Sequence, residues 1–292
     1  MRIKCGAQFN IDDREFRQLK ILIKELTGIN LSDQKQALVI ARLSKRLRVL
    51  GLSSFAQYYD VLTETGDHSE VRHLINRITT NKTDFFRESH HFDFLREVVL
   101  PRIYEDGKKS GERKLRIWSA GCSSGEEPYT IAITVQEFFV DKPGWDIKIL
   151  ATDLDTEMLE KAKAGVYSQA SVAPVAPEYL RKYFKKGVNA NTGYYMANET
   201  LKKMLIFKGH NLISERFSFR GPIDIVFCRN VIIYFDEETK AKVIDYFHDV
   251  LKENGVLFLG HSESAINNES RLKLIGNSTF HKYSSRSVHR TI

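Results

Sequence analysis

The stretch IWSAGCSSGEEPYTIAI runs from an apolar strand pattern, through a loop spaced by Gly121 and Gly125, into a helical pattern. Small residues there let a ligand lie against bare backbone at a helix N-terminus, beside the carboxyl ends of strands. The plain alternative is a tight strand-to-helix turn that binds nothing. The spacing is not GxGxxG, and Glu126 and Glu127 follow the second glycine. Acids at that position oppose a pyrophosphate and suit a cationic ligand, which counts against a nicotinamide-dependent oxidoreductase.

Downstream, a second apolar run ends in ATDLD. A carboxylate at the tip of a second strand can accept both hydroxyl hydrogens of a ribose. Asp153 is the better placed, because Asp155 falls in the turn or caps the next helix. In CRNVIIYFD, Asn230 is a polar residue among apolar ones, set to face a crevice or to satisfy buried backbone; Tyr234 brings a hydroxyl to the same mouth or sits in the core. In ITTNKTDFFRE, Asn81, Thr83 and Arg87 surround Phe85 and Phe86, either as ligand contacts or as a capped helix start over an apolar core.

These candidates need a scaffold, and the chain supplies two kinds. Residues from about 10 to 100 read as short amphipathic helices, with Gly28 and Gly51 as stops and Ser32 or Asp33 as a cap. From Leu115 onward, strand patterns (KLRIWSAG, DIKILATDLD, KMLIFKGHN, IDIVFCRN, GVLFLGHS) alternate with helical ones, which predicts an α/β domain with a parallel sheet covered on both faces. Residues 168–203 break that rhythm and read as a small antiparallel insertion, and KLIGNSTFHKYS as a closing antiparallel strand pair.

Composition bounds the rest. The 292 residues are 42% hydrophobic and 28% charged, which is ordinary for a soluble globular chain. No apolar run reaches the roughly 20 residues that span a bilayer, and the N-terminus lacks a signal-peptide core, so a cytoplasmic setting is expected. Cys5, Cys122 and Cys228 are odd in number and far apart, which fits free thiols and no metal site. A net charge of +7 asks for an anionic partner. Between Asp33 and Asp60 there is no acid, and at about 100° per residue Lys35, Arg42 and Arg46 share one helical face while Ile40, Leu43 and Leu47 face inward. That face is a solvated surface or a docking surface for an anion.

TTNKTDFFRE, AGCSSGEEPY, ATDLD, HNL, CRNVIIYFD and GHSE, in this order, resemble the chemotaxis receptor glutamate O-methyltransferases of the CheR type, from about Glu15 to Tyr283. The resemblance implies an all-α domain (residues 1–85) before a Rossmann-like methyltransferase domain (86–292) carrying a β insertion at about 175–203. It implies S-adenosylmethionine as donor, S-adenosylhomocysteine as product, and transfer of methyl groups to glutamate carboxylates of membrane chemoreceptors. Carried over motif by motif, Asn81, Thr83, Arg87, Glu127, Asp153, Asn211, Leu212, Asn230 and Val231 would contact the donor, with Glu127 favoured over Glu126. Arg87 and Tyr234 would position the reactants. Lys35, Arg42 and Arg46 would meet the receptor's acidic helices, and the insertion's run from Tyr194 would offer a free edge to a receptor tail. No nucleic acid is implied as partner. The competing readings are a methyltransferase acting on RNA or another protein, and a receptor-docking module without turnover.

Overall fold

The computed structural model describes residues 9–64, 68–214, 216–263 and 271–283. Its contacts divide the chain into a unit of residues 1–80 with 234–236, and a unit of residues 81–233 with 237–292. The boundary thus falls between Thr80 and Asn81 rather than at residue 85. Cys5 lies outside the described residues.

The first unit holds four helices, α1 (Asp13–Thr27), α2 (Gln36–Leu50), α3 (Phe55–Glu64) and α4 (His68–Ile78). Asp12 and Glu15 form a reciprocal capping box at the start of α1, and Gly28 and Gly51 end α1 and α2 in the left-handed conformation. The apolar faces meet in one core built from Leu19, Ile23, Val39, Leu43, Leu47 and Phe55. Within that core lies a polar knot. Glu70 on α4 is 2% exposed, and it accepts from Arg46 Nε at 3.0 Å and from the Tyr58 hydroxyl at 2.8 Å. Burial pushes this carboxyl up, but the hydrogen bonds from Arg46 and Tyr58 outweigh it and hold its pKa below the usual value.

The basic face expected on α2 is therefore not a free surface. Arg46 is tied to Glu70, and Arg42 Nη1 caps the end of α4 through the Thr79 carbonyl at 2.7 Å, with Nη2 on the Thr80 hydroxyl. Lys35 belongs to a 3-10 turn, Asp33–Lys35, ahead of the helix and so does not share its face. The sequence pattern counted Arg42 and Arg46 as solvent-facing because long cationic side chains at the border of an apolar stripe can turn either way.

The second unit begins with α5 (His90–Phe94), a π turn (Leu95–Val99) and α6 (Leu100–Ser110). Then follow β1 (Lys114–Ala120), α7 (Glu126–Phe139), β2 (Asp146–Asp153), α8 (Thr156–Ala164), β3 (Val166–Ser168), α9 (Pro177–Tyr183), β4 (Phe184–Lys186), β5 (Tyr194–Ala197), α10 (Glu199–Lys202) and β6 (Leu205–Gly209). The unit closes with β7 (Ile223–Cys228), α11 (Glu237–Val250), β8 (Leu251–Leu259), β9 (Leu272–Gly276) and β10 (Thr279–Lys282). The main sheet has the order β6-β2-β1-β7-β8-β10-β9, parallel as far as β8, with the β9–β10 hairpin antiparallel at one edge. The order reverses between β1 and β7, the switch point where ligands of open α/β sheets bind.

Both faces of the sheet are sealed. Ile117, Ile149, Ile225 and Val256 pack with Ile131 and Val135 of α7. On the other side Trp118 meets Phe219, Tyr246 and Phe247.

The insertion is a three-stranded antiparallel sheet of order β3-β5-β4, and it starts at Val166, earlier than the sequence pattern placed it. Tyr194–Ala197 is its middle strand, pairing Met196 with Val166 on one side and Ala197 with Phe184 on the other. That strand is not a free edge; β3 and β4 are. Three-residue strands carry too little alternation to be read from sequence.

Candidate functional site

At the carboxyl ends of β1, β2 and β7, four segments far apart in sequence converge. The loop after β1 carries Gly121 and Gly125 at φ values of +90° and +99°. A Cβ on Gly121 would stand 2.3 Å from a methyl group of Val231, so only glycine lets the β1 and β7 loops come this close. Ser123, Phe86, Glu88 and Asn230 also hold positive φ angles, between 46° and 59°. Non-glycine residues adopt that region at a cost and persist there only when surroundings fix them, and here all four lie on the converging loops.

Asp153 stands at the tip of β2. Its carboxylate accepts the Ser123 N–H at 2.7 Å and the Asp155 N–H at 2.8 Å, which leaves acceptor capacity for a ribose hydroxyl. Asp155 itself caps α8 through the Glu157 and Met158 N–H groups and receives the Asn81 side-chain amide at 2.7 Å. Burial raises the Asp153 pKa to about 6, against the backbone N–H groups that lower it. The folded chain therefore takes up a proton on Asp153 as pH falls through about 6, while the unfolded chain takes it up only near the usual carboxylate value of 3.8. Protonation between those limits favours the fold, and this group's contribution to stability falls as pH rises through that window. A ligand that needs the anion behaves in the opposite sense. Affinity for a ribose-bearing donor is expected to weaken from pH 7 to pH 5, with proton release on binding near pH 6; calorimetry in two buffers of different ionisation heat measures both. A flat affinity over that range would exclude Asp153 as an ionised ribose acceptor.

Both acids that open α7 are buried, at the positive end of the helix dipole. Glu126 takes the Ser124 hydroxyl at 2.7 Å. Glu127 takes the Ser119 hydroxyl at 2.7 Å and lies 3.3 Å from the Arg229 guanidinium. Desolvation raises the Glu127 pKa, and the Arg229 charge opposes it.

Arg229 went unnoticed in the sequence, yet it joins the site together. Its side chain is 3% exposed, packs over the Phe92 ring at 5.4 Å, and reaches Glu88 at 3.2 Å, Glu127 at 3.3 Å and the Arg87 carbonyl. The readable signal was an arginine inside an apolar run, IVFCRNVII, just past the end of β7, where a buried guanidinium demands acid partners. Glu263 of GHSE was missed in the same way. It gathers the N–H groups of Asn230, Val231, Ile233 and Gly260 at 2.7 to 3.1 Å and fixes the turn after β7.

The remaining expected residues divide. Thr83 and Arg87 are half-buried in the segment that leads to Glu88, and Arg87 Nη1 donates to the Lys82 carbonyl at 2.9 Å. Asn211 turns the chain after β6 by accepting the Ile213 N–H. Leu212 lines a cavity of about 410 Å³ with Arg216, Val243 and Tyr246, in the segment that follows Gly209, the register partner of Asp153. Tyr234 ends a 3-10 turn, and its segment packs with the helical unit, the Tyr234 carbonyl accepting from Asn30 N–H at 2.7 Å. Glu88, His90 and His91 bring potential metal-ligand atoms within 4.8 Å of one another, but the cation beside Glu88 is the protein's own Arg229.

The arrangement suits an adenosyl donor bearing positive charge: a ribose acceptor at the second strand, a glycine loop where side chains would collide, and buried acids around it. Comparison with known proteins agrees. The family model for the CheR methyltransferase SAM-binding domain matches residues 81–281, and that for the CheR methyltransferase all-alpha domain matches residues 14–79. The chemotaxis protein methyltransferase of Borreliella burgdorferi is 40% identical over 281 residues, covering 96% of this chain and 98% of its own. That of Escherichia coli K12 is 39% identical over 279 residues, covering 95% and 94%. Chemotaxis protein methyltransferase 2 of Pseudomonas aeruginosa is 36% identical over 277 residues, covering 94% and 95%. The converging loops, the buried acids and these matches lead to one conclusion: the chain belongs to the CheR methyltransferase family and binds S-adenosylmethionine.

Proposed function

We propose that this enzyme transfers methyl groups from S-adenosylmethionine to glutamate side chains of chemoreceptors, forming methyl esters. The observation that carries the reading is the match along nearly the whole chain to chemotaxis protein methyltransferases. When bound, the donor supplies an electrophilic methyl group on a sulfonium. A glutamate side chain has an ordinary pKa of about 4.3, so at pH 7 it is already the nucleophile and needs no base. What remains for the protein is alignment and removal of water. In this reading Asp153 holds the ribose, Asn211 and Leu212 flank the adenine, and Asn81, Thr83, Glu127, Asn230 and Val231 shape the pocket. Arg87 orients a carboxylate, and Tyr234 orients the acceptor.

No helix among the described residues is long and apolar enough to cross a membrane. The exposed cations of α2 are Lys45 and Arg48, and these, with Lys35 just ahead of the helix, are charges that could meet an acidic helix. A receptor tail would add as a strand to an edge of the small sheet, β3 or β4, where Lys185 and Lys186 suit acidic residues.

Incubation with radiolabelled donor and receptor-containing membranes tests the chemistry. Label is expected on the receptor and is expected to leave as methanol in mild base, because an ester hydrolyses and an N-methyl group does not. Base-stable label, or label on RNA, would sink the reading.

A further inference from the structure

Glu263 sits in the 3-10 turn His261–Glu263 after β8, is 6% exposed, and has both carboxylate oxygens engaged by backbone. Oε2 accepts the N–H groups of Asn230 and Gly260, each at 2.7 Å, and Oε1 those of Val231 at 2.9 Å and Ile233 at 3.1 Å. A carboxylate that served only its own turn would need the Gly260 N–H alone. The other three donors lie 30 to 33 positions upstream. They stand at the entry to the 3-10 turn Ile232–Tyr234, where N–H groups lack partners within the turn. Such a row of N–H groups is a concavity for an anion, and the chain fills it with its own side chain.

Contacts lead from this carboxylate to the donor site. Val231, whose N–H it holds, lies so close to the β1 loop that a Cβ on Gly121 would stand 2.3 Å from a Val231 methyl. The Gly121 and Cys122 N–H groups donate to the Thr152 carbonyl at 2.8 and 2.9 Å, and the Ser123 N–H donates to Asp153 at 2.7 Å. The sheet order reverses between β1 and β7, so these loops flank the crevice where ligands of such sheets bind. Gly260 closes the other side: a Cβ there would stand 2.7 Å from Glu263 Oε2 and 2.9 Å from Asn230 N.

We propose that Glu263 is a positioning residue for the donor: by gathering the N–H groups of Asn230, Val231 and Ile233, it sets how far Val231 reaches onto the glycine loop. Its oxygens are filled by backbone, so it acts through Val231 and not on the donor directly. It shapes a wall of the pocket without placing charge at the sulfonium, so donor and demethylated product feel it alike. The inference rests on the donor assignment and is independent of which acceptor is methylated.

The test is calorimetric binding of S-adenosylmethionine and S-adenosylhomocysteine to the full-length protein. Glu263→Gln keeps the size of the side chain but turns an amide NH2 toward two N–H donors. It should weaken both ligands on the order of tenfold, and equally. Gly260→Ala keeps the carboxylate and pushes on Asn230 from the other side. Gly260 lies outside the left-handed region, so alanine meets only the clash, and both ligands should weaken as in Glu263→Gln. Val231→Ala removes the methyl groups that meet Gly121. In that background Glu263→Gln should cost at least about threefold less affinity than in the parent, because the group it positions is gone. A general loss of stability would lower the melting temperature, with losses that simply multiply. Losses that multiply in the double variant would therefore overturn the proposal. So would a Glu263→Gln affinity for S-adenosylmethionine within about twofold of the parent, or a loss confined to one of the two ligands. If Glu263→Gln does not fold, Gly260→Ala, alone and with Val231→Ala, decides by the same criteria. A parent that binds neither ligand would overturn the donor assignment itself, whereas failure of the variants alone would leave that assignment untouched.

Discussion

Arg46→Glu is expected to melt the helical unit, because it places a second carboxylate against one that is already buried. Glu70 is 2% exposed, and its partners are Arg46 and the Tyr58 hydroxyl. Removing one member of a buried pair leaves an uncompensated charge and costs about 3–5 kcal/mol, a large share of what a domain of this size has to lose. Arg46→Leu should cost nearly as much, which separates loss of the pair from added repulsion. Lys45→Glu, one position away and exposed, should change stability by less than about 0.5 kcal/mol. Amide hydrogen exchange across α2, α3 and α4 reads the effect locally; protection in Arg46→Glu equal to that in Lys45→Glu would refute it. The pH dependence follows from the same pair. The folded Glu70 pKa lies below the usual value, so its stabilisation is present above the unfolded value and lost as pH falls through the folded one. In Arg46→Leu that acid sensitivity should shrink. Any study of receptor docking that mutates Arg42 or Arg46 would therefore confuse folding with recognition, and Lys35, Lys45 and Arg48 are the informative positions.

Asp153→Ala should weaken S-adenosylmethionine binding by about 100-fold, the equivalent of one or two hydrogen bonds to a charged group. Part of the loss is indirect, because the same carboxylate holds the Ser123 and Asp155 N–H groups and so shapes the glycine loop. Asp153→Asn keeps an acceptor oxygen but no charge, and should fall between parent and alanine while losing the pH dependence near 6. The fold should survive both changes, since the sheet core beneath Asp153 is built from Ile117, Ile149 and Ile225. An alanine variant that binds the donor within twofold of the parent would remove Asp153 from the site.

What the sequence determined by itself was local and periodic. The strands β1, β2, β6, β7 and β8 were legible as apolar runs because strands covered on both faces need them. The ends of α1 and α2 were legible because Gly28 and Gly51 take a conformation that other residues resist. The glycine loop and the acid after β2 could be marked as ligand positions, since Gly121 admits a close approach and Asp155 was recognisable as the cap of α8. Only the tertiary structure decided which charges pair. Arg229 is separated from Glu127 by 102 positions and from Glu88 by more, and no local pattern links them until β1 and β7 lie side by side. The same holds for Glu263, whose carboxylate finds its N–H partners across a turn some 30 positions away. Helical periodicity could put Arg42 and Arg46 on one face of α2, but whether that face meets solvent or the end of α4 depends on helix packing, which the period of a single helix does not contain. Strand order in the small sheet was likewise beyond reach. Three short strands of similar composition can be ordered in several ways, and long-range pairing rather than local preference made Tyr194–Ala197 the middle one.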